Sequence, residues 1–266
     1  MITIALPVYN VEKYIVRALS SAVNQTYKDI KLLIVDDCGS DNSMEVAKEF
    51  LSNYDIDVKY IKHNKNLGLG EARNTAIENI DTEYFYFFDS DDELYPNCIS
   101  DLAKVANQDN SDIVFGSCKS TTFDGRELIH GTAPRMTIQT PYAGIYFRAF
   151  AAPEMNLESW GKLFKHQMFI DNNIRCKHRI MEDAYLFLQY GFHSKIVSSI
   201  PEFVQIYHRR PDSICRTAFD EESCRVLRNL LLDIQSYAFT HNVKGMQIIK
   251  QFYERLLNTR ISKCKR

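Results

Sequence analysis

Residues 84–88 are all aromatic and are followed directly by Asp89, Asp91 and Asp92. Aromatic side chains favour strands, and a strand buried on both faces need not alternate in polarity, so the run predicts a central strand. Closely packed carboxylates repel one another and are stable where a cation neutralises them or water solvates them. Because Mg2+ and Mn2+ bind carboxylate and phosphate oxygens, the cluster predicts a metal site that also holds a diphosphate. The alternative is a solvated acidic turn that caps the next helix.

Polar residues also follow the first two predicted strands. Tyr9 and Asn10 come after the strand at residues 2–6, and Asp37 comes after the second strand. In an open α/β sheet, ligands bind beyond the carboxyl ends of the strands, which meet at one edge. Three polar clusters at that edge therefore predict a ligand site more strongly than any one of them does.

The elements that must position these residues lie in the first half of the chain, where predicted strands and helices alternate over residues 1–116. This alternation predicts an α/β fold with a mainly parallel, Rossmann-like central sheet and helices on both faces. Pro7 is expected to end the first strand, because proline has no N–H to donate to a neighbouring strand.

The pattern changes beyond residue 116. Asp124 and Gly125 predict a hairpin turn, residues 126–160 are expected to be rich in loops, and apolar residues between 163 and 170 suggest a helix. The remaining predicted elements are a helix at 182–190, strands at 196–199 and 203–207, and mostly helical structure over 220–258.

Composition narrows the class of protein. The 266 residues carry a formal net charge of −2, which argues against a nucleic-acid partner bound through overall charge. The seven cysteines form no CxxC pair, which predicts free thiols in a reducing cytoplasm and no zinc site. Neither a signal peptide nor an apolar run of about 20 residues is present, so we expect a cytoplasmic protein.

The end of the chain is basic over residues 255–266. Such a segment could lie on the anionic inner face of the cell membrane, which predicts a peripheral contact near a lipid-linked acceptor. The alternative is a solvated helix end.

Four segments, taken together, resemble the family-2 inverting glycosyltransferases, which have the GT-A fold. They are Pro-Val-Tyr-Asn at 7–10, Val-Asp-Asp-Cys-Gly-Ser-Asp-Asn-Ser at 35–43, Asn-Leu-Gly-Leu-Gly-Glu-Ala-Arg-Asn at 66–74 and Asp-Ser-Asp-Asp at 89–92. Weaker similarities follow at Trp-Gly-Lys-Leu-Phe, residues 160–164, and Glu-Asp, residues 182–183. Gly161 stands where the family usually has Asn, so any role of that side chain is absent here.

The resemblance implies three parts of the chain: a nucleotide-sugar-binding subdomain at 1–116, a smaller acceptor-binding and catalytic region at 117–215 and a C-terminal helical segment at 216–266. It implies that Tyr9 stacks on the nucleobase and that Asp37 accepts a hydrogen bond from a uracil N–H. The alternatives are a tyrosine that packs on the core and an aspartate that caps a helix. Arg73 is expected to pair with phosphate or with the acidic cluster at 89–92; the alternative is a surface ion pair. The implied nucleotide-sugar-binding residues are Pro7, Tyr9, Asn10, Asp37, Asn66, Arg73, Asp89 and Ser90.

The resemblance also implies a metal site and a general base. The implied ligands of Mn2+ or Mg2+ are Asp91, Asp89 and Asp92. His208, which follows a predicted strand, could be a further metal ligand or a phosphate contact; the alternative is a structural histidine. Asp183 is the implied base, although acidic residues also favour a helix N-terminus through its dipole. The implied acceptor residues are Trp160, Lys162 and Glu182; Trp160 could equally belong to the core.

The implied reaction transfers galactose or N-acetylgalactosamine from a UDP-sugar to a hydroxyl of a glycan or lipid-linked glycan, with inversion. Bacterial lipooligosaccharide, capsule or other surface-glycan synthesis is the implied setting. The rival is a non-catalytic nucleotide-sugar-binding protein of the same fold. A dinucleotide-dependent oxidoreductase is excluded, because no G-x-G-x-x-G follows the first strand.

Overall fold

A computed structural model describes residues 1–122, 124–146, 158–177, 182–210 and 221–240. The basic tail at 255–266, for which membrane contact is expected, lies outside these ranges. The strands are β1 (Ile2–Val8), β2 (Ile30–Asp36), β3 (Asp57–Lys62), β4 (Tyr84–Phe87), β5 (Glu93–Leu94), β6 (Ile113–Thr121), β7 (Glu127–Gly131), β8 (Met136–Gln139), β9 (Lys162–Lys165) and β10 (Ile196–His208). The helices are α1 (Ile15–Val23), α2 (Ser43–Leu51), α3 (Leu69–Asn79), α4 (Cys98–Asp109), α5 (Ala143–Tyr146), α6 (His166–Asp171), α7 (Glu182–His193) and α8 (Glu221–Thr240).

The ten strands of the described ranges belong to one sheet, in which the main order is β3-β2-β1-β4-β9-β6-β10-β5, with β7 beside β6 and β8 beside β10. The first four strands of this order are parallel. Beyond them the sheet is mixed, because β9 runs antiparallel to both β4 and β6. The predicted α/β fold is confirmed, and its parallel part is the half that carries the three polar clusters.

The aromatic run forms the predicted central strand, β4, which is buried along its whole length. Successive side chains alternate between two hydrophobic clusters on opposite faces of the sheet. Phe85 and Phe87 pack with α3 and α7, whereas Tyr84 and Tyr86 pack with α1 and α4. Helices therefore cover both faces of the sheet at β4.

Pro7 does not end β1, which continues to Val8. The backbone carbonyl of Ala5 points towards β4, where it accepts the N–H of Phe88. Backbone groups two residues apart on a strand point to the same side, so the nitrogen of Pro7 also points towards β4. The register with β4 stops at Ala5 and Phe87, so no partner strand requires an N–H from Pro7. The prediction failed because the neighbouring strand is shorter than β1.

Three further predictions change in the second half. The helix expected at 163–170 is a strand, β9, followed by the short helix α6, and the loop-rich stretch 126–160 contains β7 and β8. The two strands expected at 196–207 are one strand, β10, with register shifts in its middle. The hairpin turn at Asp124 and Gly125 is confirmed between β6 and β7.

The expected boundary at residue 116 falls inside β6, which pairs with β9 and β10. The sheet is thus continuous across it. No helix within the described ranges is long and apolar enough to cross a membrane.

Candidate active site

Arg73 joins the end of β4 to the start of α7. It lies on α3 and is fully buried, with its guanidinium carbon 5.7 Å from the centre of the Phe87 ring. Its Nη2 donates to Oδ1 of Asp89 at 2.9 Å, and its Nη1 donates to Oε1 of Glu182 at 2.8 Å and to Oδ1 of Asp183 at 2.7 Å. Phosphate and the acidic cluster at 89–92 were the two expected partners of Arg73, and the structure shows the pair with that cluster, through Asp89.

Asp183 is held through one of its two oxygens. Oδ1 accepts hydrogen bonds from Arg73 and from both the backbone N–H and the hydroxyl of Ser159. Among the described residues every hydrogen bond to this carboxylate goes to Oδ1, and 23% of the side chain is exposed. Oδ2 is therefore available to accept a further hydrogen bond. The contact between Ser159 and Asp183 was not predicted from the sequence. The only hint is that Ser159 directly precedes Trp160, in a segment that resembles the family.

Three carboxyl groups, those of Asp89, Glu182 and Asp183, share the single positive charge of Arg73. Burial raises the pKa of Glu182 to about 8, the charge of Asp183 adds to the rise and Arg73 opposes it. Burial also raises the pKa of Asp89 to about 6; Arg73 lowers it, and the charges of Asp91 and Asp183 raise it. Mutual repulsion of this kind is what a bound cation relieves, so Asp89 and Asp91 suit a divalent metal ion.

Asp91 is paired with a residue from the far end of the sheet. Nε of Arg210 lies 2.7 Å from Oδ2 of Asp91, and Nη2 of Arg17 donates to its backbone carbonyl at 2.5 Å. The Asp91 side chain is 16% exposed, so it lies at the surface of the site.

The assignment of Asp92 as a metal ligand stays a prediction, and both of its side-chain oxygens accept hydrogen bonds within the protein. Its side chain is fully buried, where Oδ2 accepts a hydrogen bond from Nε2 of Gln205 at 2.8 Å and Oδ1 accepts one from the N–H of His208 at 2.9 Å. Burial, together with the charges of Asp91 and Asp89, raises its pKa well above the usual range. Asp92 thus fastens the acidic turn to β10.

His208 uses both ring nitrogens within the protein. Nε2 is 3.2 Å from Glu93 Oε2, and Nδ1 is 3.4 Å from Thr121 Oγ1. Burial and the charge of Arg17 lower its pKa, so the ring is mainly neutral at pH 7. Within the described ranges, no three His, Cys, Asp or Glu side chains are arranged to hold a metal. A cation here would rely on one or two carboxylates and on ligand phosphates, as Mg2+ often does.

Asp37 anchors the loop that precedes α3. Oδ1 lies 2.7 Å from Nδ1 of His63 and accepts the N–H of Leu67, and Oδ2 accepts hydrogen bonds from Nδ2 of Asn66 and the N–H of Gly68. The carboxylate is 2% exposed. These four contacts fill the usual acceptor positions of a carboxylate. Contact of Asp37 with a uracil N–H stays a prediction. In the structure, Asp37 stabilises the loop before α3.

The other donor-side residues line the same edge of the sheet. The Tyr9 ring is 42% exposed just beyond β1, where it can stack on a planar base. Asn10 has a positive φ of 52°, and its Oδ1 accepts the N–H of Ser40, which joins the loops after β1 and β2. Pro7 and Ser90 are buried. Of this group, Tyr9 is the side chain most open to a ligand.

The three acceptor candidates are not open to a ligand in this structure. The Trp160 ring is 5% exposed and packs against His130 and Tyr207. Lys162 is 2% exposed and donates to the backbone carbonyls of Glu158 and Trp160. Glu182 is 7% exposed and is paired with Arg73. Trp160 thus follows its alternative interpretation as a core residue.

Comparison with known proteins defines the class. Residues 3–174 match the family described as glycosyl transferase family 2, so the chain belongs to this family. It is 31% identical to the glycosyltransferase GlyA of Streptococcus pneumoniae, over 81% of this chain and 31% of that protein. It is 28% identical to the glycosyltransferase GlyG of the same organism, over 83% of this chain and 74% of that protein.

The fold is that of solved GT-A glycosyltransferases. A structure of S. aureus TarS in complex with UDP-GlcNAc matches with a TM-score of 0.72 and 21% identity, over 87% of this chain and 65% of that chain. The mannosyltransferase PcManGT from Pyrobaculum calidifontis, solved with GDP-Man and Mn2+, matches with a TM-score of 0.63 and 12% identity, over 99% of this chain and 72% of that chain. The GT-A prediction is confirmed.

Proposed function

We propose that the chain is an inverting glycosyltransferase that moves a sugar from a UDP-sugar to a hydroxyl of a glycan or lipid-linked glycan. The observation that carries the proposal is the Arg73 cluster, which joins Asp89, at the edge where the donor is expected, to Asp183, the candidate base. Membership of glycosyl transferase family 2 supports it.

In the proposed reaction the acceptor oxygen attacks the anomeric carbon from the face opposite the leaving UDP, which inverts that carbon. The hydroxyl proton passes to Oδ2 of Asp183, while Arg73 and Ser159 hold Oδ1 and so fix the direction of the carboxylate. Asp91, with Asp89, would hold Mn2+ or Mg2+. When bound, such a cation compensates the charge of the diphosphate as it leaves.

Galactose and N-acetylgalactosamine are the proposed sugars, and surface-glycan synthesis is the proposed setting. One relative, 27% identical over 74% of this chain, is a cholesterol galactosyltransferase of Borreliella burgdorferi, whereas TarS was solved with UDP-GlcNAc. The donor screen therefore includes UDP-galactose, UDP-N-acetylgalactosamine and UDP-GlcNAc, with GDP-mannose as the nucleotide control. A ligand that binds only the folded state raises the melting temperature, and we expect this for UDP-sugars with Mn2+.

The decisive measurement is UDP release from the donor that binds, with and without Mn2+, in the wild-type protein and in Asp183→Asn. Metal-dependent release that Asp183→Asn abolishes supports an enzyme. Donor binding without release in either protein would support the rival, a non-catalytic nucleotide-sugar-binding protein. Contact of residues 255–266 with an anionic membrane is a separate proposal, tested by liposome co-sedimentation with and without that tail.

A further inference from the structure

Two arginines from distant parts of the chain meet at Asp91. Arg210, just after β10, reaches Oδ2 of Asp91 with its Nε at 2.7 Å, and its guanidinium carbon is 5.3 Å from the centre of the Tyr14 ring. Arg17, on α1, lies 5.9 Å from the centre of the same ring and donates to the carbonyl of Asp91. Tyr14 therefore supports two cations at the edge of the acidic cluster.

The Arg17 side chain also has a buried hydrogen-bond donor, Nε, that is not used by any described residue. Its Nε is shielded from solvent and has no hydrogen-bond partner within the described ranges. A buried donor without a partner is unfavourable, and one explanation for such a group is an ion or ligand that binds there. The chemistry that suits two neighbouring guanidinium groups is an anion with several oxygens, such as a diphosphate.

We propose that Arg210 is a built-in counter-cation, which pairs with Asp91 before the donor binds and moves to the donor diphosphate when a divalent metal takes its place. Arg210 already occupies the carboxylate of Asp91, for which a divalent metal ion would compete. When Arg210 leaves Asp91, the diphosphate replaces the carboxylate as its negatively charged partner. Arg17 keeps its hydrogen bond to the backbone carbonyl of Asp91 and remains near the diphosphate. This inference rests on the proposed function, because it assumes a nucleotide diphosphate donor.

The neighbouring Arg209 provides a matched control, since it is exposed and follows His208 in the same segment. The experiment compares Arg210→Gln with Arg209→Gln and the wild-type protein. Mn2+ binding without nucleotide is measured by electron paramagnetic resonance, and UDP binding at saturating Mn2+ by calorimetry. Circular dichroism and melting temperature establish that each variant is folded.

For Arg210→Gln we expect Mn2+ to bind about tenfold more tightly without nucleotide, because its competitor is gone, and UDP to bind about tenfold more weakly, because a phosphate contact is gone. Arg209→Gln should change neither affinity. Arg210→Lys, which keeps the charge but not the planar donor array, should leave Mn2+ binding weak and reduce UDP binding less than Arg210→Gln does.

Two different outcomes would contradict the proposed function and the counter-cation role separately. If the wild-type protein binds no UDP with Mn2+, the proposed function is wrong. If the wild-type protein binds UDP but Arg210→Gln binds Mn2+ no more tightly without nucleotide, only the counter-cation role is wrong. Should Arg210→Gln not fold, Arg210→Lys decides: UDP binding equal to that of the wild type refutes the proposal.

Discussion

Nη1 of Arg73 lies 2.7 Å from Oδ1 of Asp183, 110 residues further along the chain. The opposite arm of the guanidinium holds Asp89, so one buried cation spans from the end of β4 to the start of α7. Distances between the donor edge and the candidate base are therefore set by a single planar group. Arg73 is best described as a positioning residue, since it acts on the proposed chemistry through the carboxylates that it holds.

We expect Arg73→Ala to lower the free energy of unfolding by about 3–5 kcal/mol, because it leaves buried carboxylates without their counter-ion. Arg73→Lys should recover only part of this loss, since an ammonium cannot bridge both sides as the planar fork does. Urea unfolding measures both. The control is Arg126→Ala, which breaks an exposed pair with Asp124 and should cost less than about 0.5 kcal/mol. Equal losses for Arg73→Ala and Arg126→Ala would contradict the role of the cluster.

Asp183→Asn should leave UDP-sugar binding within about twofold of wild type and lower kcat by about a thousandfold, because an amide still accepts at its oxygen but cannot take a proton. Steady-state turnover and calorimetry separate the two effects. Asp171→Asn, an exposed change at the end of α6, should alter neither quantity. A turnover of Asp183→Asn near that of the wild type would remove Asp183 as the base.

The raised pKa of Glu182 predicts that the protein loses stability as the pH rises. The pKa is about 8 in the folded protein against an ordinary value of 4.5, so between these values the folded state binds more protons than the unfolded state. The free energy of unfolding then falls as the pH rises from about 4.5 to about 8, by at least about 1.4 kcal/mol, the equivalent of one pKa unit. Glu182→Gln should flatten the curve, and exposed Glu49→Gln should not. A curve for Glu182→Gln as steep as that of the wild type would refute this origin.

The sequence was most informative where local pattern and burial agree. The aromatic run at 84–88 could only be a buried element, and its abrupt change to Asp89 comes two residues after the last residue of β4, Phe87. Arg73 lies near the start of α3, where the sequence allowed a pair with phosphate or with the acidic cluster at 89–92. The structure shows the pair with Asp89 of that cluster. Residues that lie near each other in sequence, or at the ends of successive parallel strands, could thus be grouped without a structure.

The failures involve residues whose role depends on strands far away in sequence. Phe164 is spaced like a helical residue, but it stacks on Phe85, 5.4 Å between ring centres, because β9 fits between β4 and β6. The hydrogen bond that Gln205, on β10, donates to Asp92 was also not foreseen. Neither pairing leaves a signal within a few residues of the site, so no local pattern could have indicated it.

The loop before α3 allows a test of how Asp37 acts. If Asp37 works by shaping the loop, His63→Ala should weaken UDP binding about tenfold although His63 needs no contact with the nucleotide, because a hydrogen bond to a charged group contributes about 1.5 kcal/mol. Calorimetry with UDP and Mn2+ measures this. Lys62→Ala, an exposed change at the adjacent position, is the control. Unchanged affinity in His63→Ala would favour a direct contact between Asp37 and the base.

Gly161 tests whether the segment before β9 tolerates a side chain. Its φ is +72°, and a Cβ there would lie 2.7 Å from Sγ of Cys118, so Gly161→Ala combines backbone strain with overpacking and should cost about 2–4 kcal/mol. Gly125→Ala has a similar φ of +82° in open space and should cost only about 1 kcal/mol, the strain alone. In a double-mutant cycle measured by urea unfolding, Cys118→Ala should recover the difference between the two, because it removes the sulfur that the new Cβ meets. Additive effects of Gly161→Ala and Cys118→Ala would show that the contact with Cys118 is not what excludes larger residues.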